Sequence, residues 1–282
     1  MTIKTIMNAF LRDGTRVLPL SVHQLTALDA EPRALIEIAG GLGCASVCLF
    51  THVPEVARHI YPAVGAEDLA AVRAALAEAA VNVSNIEFFP LDGSDTESFE
   101  AGLAVGAALG ARRATAHIHG AEGEEAVARF AVFCDQAARH GIDAGLEFNA
   151  FSAVRDVTAA AAIVRGAGRG NARLVLDLLH LMRSGGGPDD VAKIADLVDL
   201  VQLCDGPLSI ADDGRWREAV GERALPGTGE FPLAALLAPL RAGTIIDIEV
   251  PQSAARKAGV PALERITRAV EASRAVLSGV LP

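Results

Sequence analysis

Residues 142–180 read IDAGLEFNAFSAVRDVTAAAAIVRGAGRGNARLVLDLLH, and this stretch decides the fold. It opens on an apolar run, Ile142–Phe148, that carries Glu147 near its end, and passes through an alanine-rich segment with helical period, Val157–Gly166. A second apolar run, Ala172–Leu178, follows and carries Asp177 near its end. The runs are largely apolar rather than alternating, as expected of parallel strands covered on both faces. Two such strands joined through a helix make one βαβ unit.

The same unit repeats outward in both directions. Strand-like runs occur at Val17–His23, Ala45–Phe50, Asn82–Phe89, Arg113–Ile118, Ile142–Phe148, Ala172–Leu178, Val198–Leu203 and Thr244–Glu249. Helical segments lie between and after them at Pro32–Gly40, Ala66–Ala80, Glu97–Gly110, Glu124–His140, Val157–Gly166, Asp189–Leu197, Pro232–Ala242 and Pro261–Ser278. Gly141 suits the position after a helix end, and Pro188-Asp189-Asp190 suits a helix start. Eight strand-then-helix units predict a closed (β/α)8 barrel. An open doubly wound sheet is the structural alternative, but no GxGxxG follows the first strand. No Pro/Gly/Ser-rich linker divides residues 1–282, so a single domain is expected.

Composition narrows the function. The chain is 51% hydrophobic with 25 Lys plus Arg against 35 Asp plus Glu, a net charge of −10. With no cationic run, a nucleic-acid or anionic-membrane surface is disfavoured. Met1–Leu20 contains Lys4, Arg12, Asp13 and Arg16 and offers neither a signal h-region nor an apolar span of about 20 residues. Cys44, Cys48, Cys134 and Cys204 lie among apolar neighbours without paired spacing, as buried thiols of a reducing compartment do. A cytoplasmic protein is expected.

In such barrels the chemistry sits at the C-terminal strand ends. Those ends carry His23, then Thr51 and His52, then Glu87 within the third run, then His117 and His119. The later ends carry Glu147, Asp177, Gln202 with Asp205, and Glu249. An anionic side chain in a β-branched run is costly unless paired or coordinated. Three carboxylates, an amide and nearby imidazoles form an oxygen-rich set for one divalent ion: Mn²⁺, Mg²⁺, Co²⁺ or Zn²⁺. Such an ion can grip a carbonyl and an adjacent hydroxyl while a carboxylate moves the proton between them, which is sugar isomerase and epimerase chemistry.

These residues resemble the xylose isomerase-like TIM-barrel family, which includes sugar phosphate isomerases/epimerases, ketose 3-epimerases, inosose dehydratases and 3-dehydroshikimate dehydratases. The markers are Ser21-Val22-His23-Gln24-Leu25-Thr26, Leu146-Glu147-Phe148, Asp177-Leu178-Leu179-His180, Val201-Gln202-Leu203-Cys204-Asp205, Pro226-Gly227-Thr228-Gly229-Glu230 and Ile248-Glu249-Val250. The resemblance implies Glu147, Asp177, Gln202 and Glu249 as metal ligands, with the two glutamates also transferring protons. It places His180 near substrate oxygens and makes Arg223, ahead of the Pro-Gly-x-Gly-Glu loop, a substrate anchor. A planar guanidinium suits carboxylate or phosphate. His23, His117 and His119 are candidate substrate contacts. A homo-oligomer, dimeric or tetrameric, is implied by the family alone.

The sequence departs from the ketose 3-epimerases at Gln202, where they carry His, and lacks a second Glu shortly after Glu147. An amide oxygen is a weaker donor than imidazole, and the same enolate logic supports loss of water. A lyase acting on a keto-polyol or cyclic keto-acid is therefore the alternative to an isomerase, and a sugar-binding barrel without turnover is the non-enzymatic one. Each residue also has a plainer explanation. A strand-end carboxylate can cap the next helix or pair with an Arg. Glu87 can form an ion pair, and Pro226–Glu230 reads as a turn as well as a loop over substrate. Trp216 suits a lid, a subunit contact or a packing anchor. His59, Tyr61 and His140 read as surface or helix-terminal residues.

Overall fold

The computed structural model describes residues 17–93 and 97–280. The expectation for Met1–Leu20 therefore lies, up to residue 16, outside the described residues. Eight parallel strands close into a barrel in chain order: β1 (Leu20–His23), β2 (Ser46–Phe50), β3 (Asn82–Leu91), β4 (Arg113–Ile118), β5 (Asp143–Glu147), β6 (Ala172–Asp177), β7 (Val198–Leu203) and β8 (Ile245–Ile248). β1 pairs with both β2 and β8, which completes the ring. The (β/α)8 architecture expected from the repeat is the one observed.

The larger outer helices also fall where the periodicity puts them: Pro32–Gly41, Leu69–Ala79, Glu97–Ala108, Gly123–Arg139, Val157–Gly166, Pro188–Ile194 and Ala262–Val280. Local chemistry sets their ends. The Asp156 carboxylate accepts the Ala159 N–H at 2.9 Å and starts the helix at Val157. Gly141 follows the end of Gly123–Arg139 at φ +70°, a backbone conformation that costs glycine nothing. Further helices at Leu178–Arg183, Arg215–Gly221 and Ser253–Lys257 add to those expected. Leu178–Arg183 continues the apolar run of β6 without a break in composition, so only the capping carboxylate of Asp177 marks the change.

The main core lies between sheet and helices, with Phe89, Phe99, Phe130 and Phe133 buried there. All four cysteines are buried and free, as expected. Among the described residues no helix is long and apolar enough to cross a membrane. The N-terminal end of the barrel is polar: Arg113 of β4, 1% exposed, reaches Asp199 of β7 as an ion pair. Gly145 makes room for it, since a Cβ there would lie 2.8 Å from Arg113 Cδ and 2.6 Å from Val175 Cγ2.

Asp247 of β8 is fully buried, and desolvation pushes its carboxyl up to about 6 against the pull of His23. The folded pKa exceeds the unfolded one, so the charged form costs stability above about pH 6 and the cost fades as pH falls toward 4. Asp247→Asn is expected to stabilise the protein by about 2–3 kcal/mol at pH 8 and to flatten the dependence between pH 4 and 7, measured as urea midpoints. A midpoint shift independent of pH would show that Asp247 is not the titrating group.

Candidate active site

Glu147 is the last residue of β5 and Asp177 the last of β6; Gln202 lies near the end of β7 and Glu249 directly follows β8. Asp177 pairs in register with Gln202, so neighbouring strands deliver them side by side. All four are between 1% and 4% exposed. Ligand atoms of Glu147, Asp177 and His180 lie within 4.8 Å of one another. The barrel thus gathers the strand-end residues that the sequence singled out.

Asp177 has several roles. Its Oδ1 accepts the N–H groups of Leu179 at 2.6 Å and His180 at 3.2 Å, capping Leu178–Arg183. Its Oδ2 accepts Arg223 Nη1 at 2.7 Å. The plain explanation, a helix cap, is therefore true of Asp177 and coexists with its place in the cluster. Arg223 Nη2 lies 2.7 Å from Glu249 Oε1, so its guanidinium bridges two of the carboxylates that the family resemblance implies as metal ligands. Burial works against its charge, but Asp177 and Glu249 hold it firmly protonated.

Arg223 is delivered by Asp205. The Asp205 carboxylate accepts four backbone N–H groups: Gly206 at 2.8 Å and Phe231 at 3.0 Å on Oδ1, Gly227 at 2.9 Å and Gly229 at 3.0 Å on Oδ2. Its backbone bridges antiparallel to Ala224, next to Arg223. A Cβ at Gly229 would lie 2.4 Å from Asp205 Oδ1 and 2.6 Å from the Gly206 backbone, so only glycine fits. Pro226–Glu230 is accordingly a turn pinned from inside, with the Gly227 and Gly229 amides already taken by a carboxylate.

Two imidazoles flank Glu147. His117 Nδ1 lies 2.9 Å from Asn149 Nδ2, and the Asn149 oxygen accepts the Phe151 N–H at 3.0 Å, which fixes the amide as donor. The His117 proton therefore sits on Nε2, 3.9 Å from Glu147 Oε2. His180 Nε2 lies 3.7 Å from Glu147 Oε1 and 3.8 Å from Asp177 Oδ2. Burial lowers both rings to about 4, so both are neutral at pH 7. Burial, followed by the charges of Glu87, Asp177 and Glu249, pushes the Glu147 carboxyl well above the usual range. Glu249 is raised by burial to about 7 despite Arg223.

The remaining expected residues divide. His23 is buried at the end of β1, with Nδ1 accepting the Leu25 N–H at 3.0 Å and Nε2 3.0 Å from Glu87 Oε2. Its contact is thus a protein carboxylate. His119 lies just past β4, and among the described residues its ring makes no hydrogen bond or ion pair with the carboxylates of the cluster; its backbone oxygen accepts Arg129 Nη1. His52 stacks on Phe89 at 5.4 Å between ring centroids and meets Phe99 edge-on, so its ring packs against an outer helix. Tyr61, read as a surface residue, sits edge-on to Phe50. Trp216, 58% exposed, meets Phe151 edge-on at 5.0 Å, and Phe151 meets His180 at 6.3 Å.

Sequence reasoning gave no role to Asn149 and left Glu87 as an ion pair. Asn149 follows Glu147 by two residues, a spacing that is a usable signal for a shared strand face. Glu87 lies where the β3–β4 register shifts, so spacing does not tell its direction.

The donor set fits a divalent cation. Asp177 and Glu249 contact the Arg223 guanidinium, whose charge also acts on Glu147, while Glu87 adds negative charge to the cluster. Gln202 Oε1 and Glu249 Oε2 are buried and have no hydrogen-bond partner among the described residues. Buried oxygens left unpaired in this way are costly until something positive meets them.

A family model described as a xylose isomerase-like TIM barrel matches residues 36–275. No sequence among the curated proteins matches the chain. Solved structures do. The IolI protein with a bound zinc atom superimposes with a TM-score of 0.76 at 18% identity, over 93% of this chain and 99% of that one. The D-allulose 3-epimerase of Methylomonas sp. gives 0.68 at 17% identity, over 93% and 98%. The probable 3-DHS dehydratase AsbF of Bacillus anthracis gives 0.67 at 14%, over 90% and 98%. The chain spans 43% of one further match, a fusion of a xylose isomerase-like TIM barrel with 4-hydroxyphenylpyruvate dioxygenase, which gives 0.75 at 19% identity over 93% of this chain.

Proposed function

Because the chain belongs to the xylose isomerase-like TIM-barrel family, we propose that it is a divalent-metal-dependent isomerase or epimerase acting on a small keto-sugar, its phosphate or a keto-polyol. One observation carries this reading. Glu147 and Glu249 are two buried carboxyls both raised above the ordinary range, in a cluster where Gln202 Oε1 and Glu249 Oε2 have no hydrogen-bond partner among the described residues. Carboxyls whose burial raises them above the ordinary range, as it does both of these, are suited to giving and taking a proton at carbon.

Glu147, Asp177, Gln202 and Glu249 would hold the ion. Bound there, a divalent cation supplies Lewis acidity that steadies negative charge growing on the substrate oxygens. Glu147 takes the proton from the carbon next to the carbonyl. Neutral His117 and His180 offer hydrogen bonds to the oxygens beside that carbon without adding a charge that burial would oppose. Glu249 delivers a proton to the resulting enediolate, and Arg223 fixes the rotamers of Glu249 and Asp177 meanwhile. Exchange with water then resets the two carboxyls.

A lyase is the second reading, and Arg223 favours it. The guanidinium 2.7 Å from Glu249 leaves Glu147 as the carboxylate of the pair without a cation partner. One base is enough to remove a proton and expel a β-hydroxyl, and Gln202 stands where the ketose 3-epimerases carry imidazole.

The test is incubation of Mn²⁺-loaded protein in D₂O with a set of keto-sugars and cyclic keto-acids, followed by mass spectrometry. Deuterium at carbon next to the carbonyl, with the mass otherwise conserved, is the expected result. Loss of water with new conjugated absorbance selects the lyase. Neither change, in a protein that retains no divalent ion, would overturn both readings and leave a binding barrel.

A further inference from the structure

The amide of Gln202 presents a problem that its strand does not solve. A carboxamide can turn either its oxygen or its nitrogen toward a site, and only the oxygen has lone pairs for a cation. Gln202 is 1% exposed, and its orientation is set from across the barrel: Nε2 donates to Glu87 Oε1 at 3.3 Å. Its Oε1 is left buried and without a partner among the described residues.

Glu87 is itself held in a way that permits no other residue type of its length. Asn85 Nδ2 donates to Glu87 Oε1 at 2.9 Å. Asn85 cannot flip without loss, because Thr115 Oγ1 donates to its Oδ1 at 2.9 Å. On the other side, His23 Nε2 lies 3.0 Å from Glu87 Oε2. The Leu25 N–H on Nδ1 requires the ring proton to be on Nε2. Glu87 Oε1 therefore accepts from the amides of Asn85 and Gln202, while Oε2 has His23 Nε2 as an ion-pair neighbour at 3.0 Å, an environment matched to a carboxylate. A Gln at this position would turn an NH₂ group either onto His23 or onto the two amides.

We propose that Glu87 is a positioning residue that locks the Gln202 carboxamide with its oxygen presented to the ion held by Glu147, Asp177 and Glu249. The assignment rests on the metal-centre reading above. It makes Gln202 a defined oxygen donor and gives the remote strand β3 a role in metal affinity.

Calorimetric titration of Mn²⁺ and of Zn²⁺ into chelator-stripped protein tests it, using wild type, Glu87→Gln, Gln202→Ala and the double variant. Glu87→Gln should weaken the ion about 10–100-fold, the usual range for a lost outer partner of a ligand. In the Gln202→Ala background the same change should alter affinity by less than about 3-fold, because coupled residues are non-additive. A general charge effect would persist in both backgrounds, so equal losses overturn the assignment. Glu87→Asp keeps the charge but withdraws the acceptors, and serves if Glu87→Gln fails to fold; it should weaken binding with Gln202 present and not without it. A wild type that takes up neither ion overturns the metal-centre reading and this assignment together. Uptake without coupling overturns the assignment alone.

Discussion

Replacing Arg223 with Met lowers the stability of the chelator-treated protein by about 3–5 kcal/mol, the cost of breaking a buried ion pair and stranding its partners. The size follows from geometry. One guanidinium contacts Asp177 and Glu249 at 2.7 Å each, all three side chains are nearly inaccessible, and Glu147 and Glu87 add negative charge close by. Met keeps much of the apolar volume and removes only the cation. Saturating Mn²⁺ should narrow the gap, because the ion takes the place of the lost counter-charge and binds the variant more tightly than the wild type, each tenfold difference in Kd returning about 1.4 kcal/mol. Urea denaturation with chelator and with Mn²⁺ reads both numbers. An equal loss under the two conditions would mean that Arg223 matters for packing beside the antiparallel bridge that its neighbour Glu222 makes with Gln252, and not as a counter-ion.

Glu147→Gln should move activity and stability in opposite directions. Turnover falls by about 10²–10⁴-fold, the range attributed to a positioned general base. The metal-free fold gains about 1–3 kcal/mol, since a neutral amide avoids the cost of bringing a group that is ionised in the unfolded chain into a cluster that resists its charge. Between the neutral rings of His117 and His180, 3.9 and 3.7 Å away, the Gln side chain finds hydrogen-bonding partners in place of repulsion. Initial rates on the substrate found in D₂O, together with urea midpoints in chelator, check the pair. A loss of both activity and stability would assign Glu147 a structural role.

Much of this centre was legible in the chain because the barrel turns a one-dimensional cue into a three-dimensional one. A carboxylate ending an apolar run must lie at the C-terminal end of the strands, so Glu147, Asp177 and Glu249 are placed there by sequence alone. Other residues act through cues that a linear reading lacks. Asp205 reads as a further acidic strand end, yet its carboxylate is consumed by four amides arriving from up to 26 positions later. Glu87 sits within the β3–β4 register shift, where the two-residue period no longer tells which way a side chain points. His52 has the composition of a pocket residue, but Phe89 and Phe99 offer it an aromatic slot. Arg223 was legible as a cation near the site; its position between two carboxylates depended on the bridges at Glu222 and Ala224.

The chain has one tryptophan, and it stands at the mouth of the barrel against Phe151, which in turn touches His180. Its emission is therefore a built-in optical probe located beside the pocket and free of background from any other indole. A compound that settles over His180 must change the polarity or mobility around that ring, so ligand screening can proceed by intrinsic fluorescence, label-free, before any turnover assay exists.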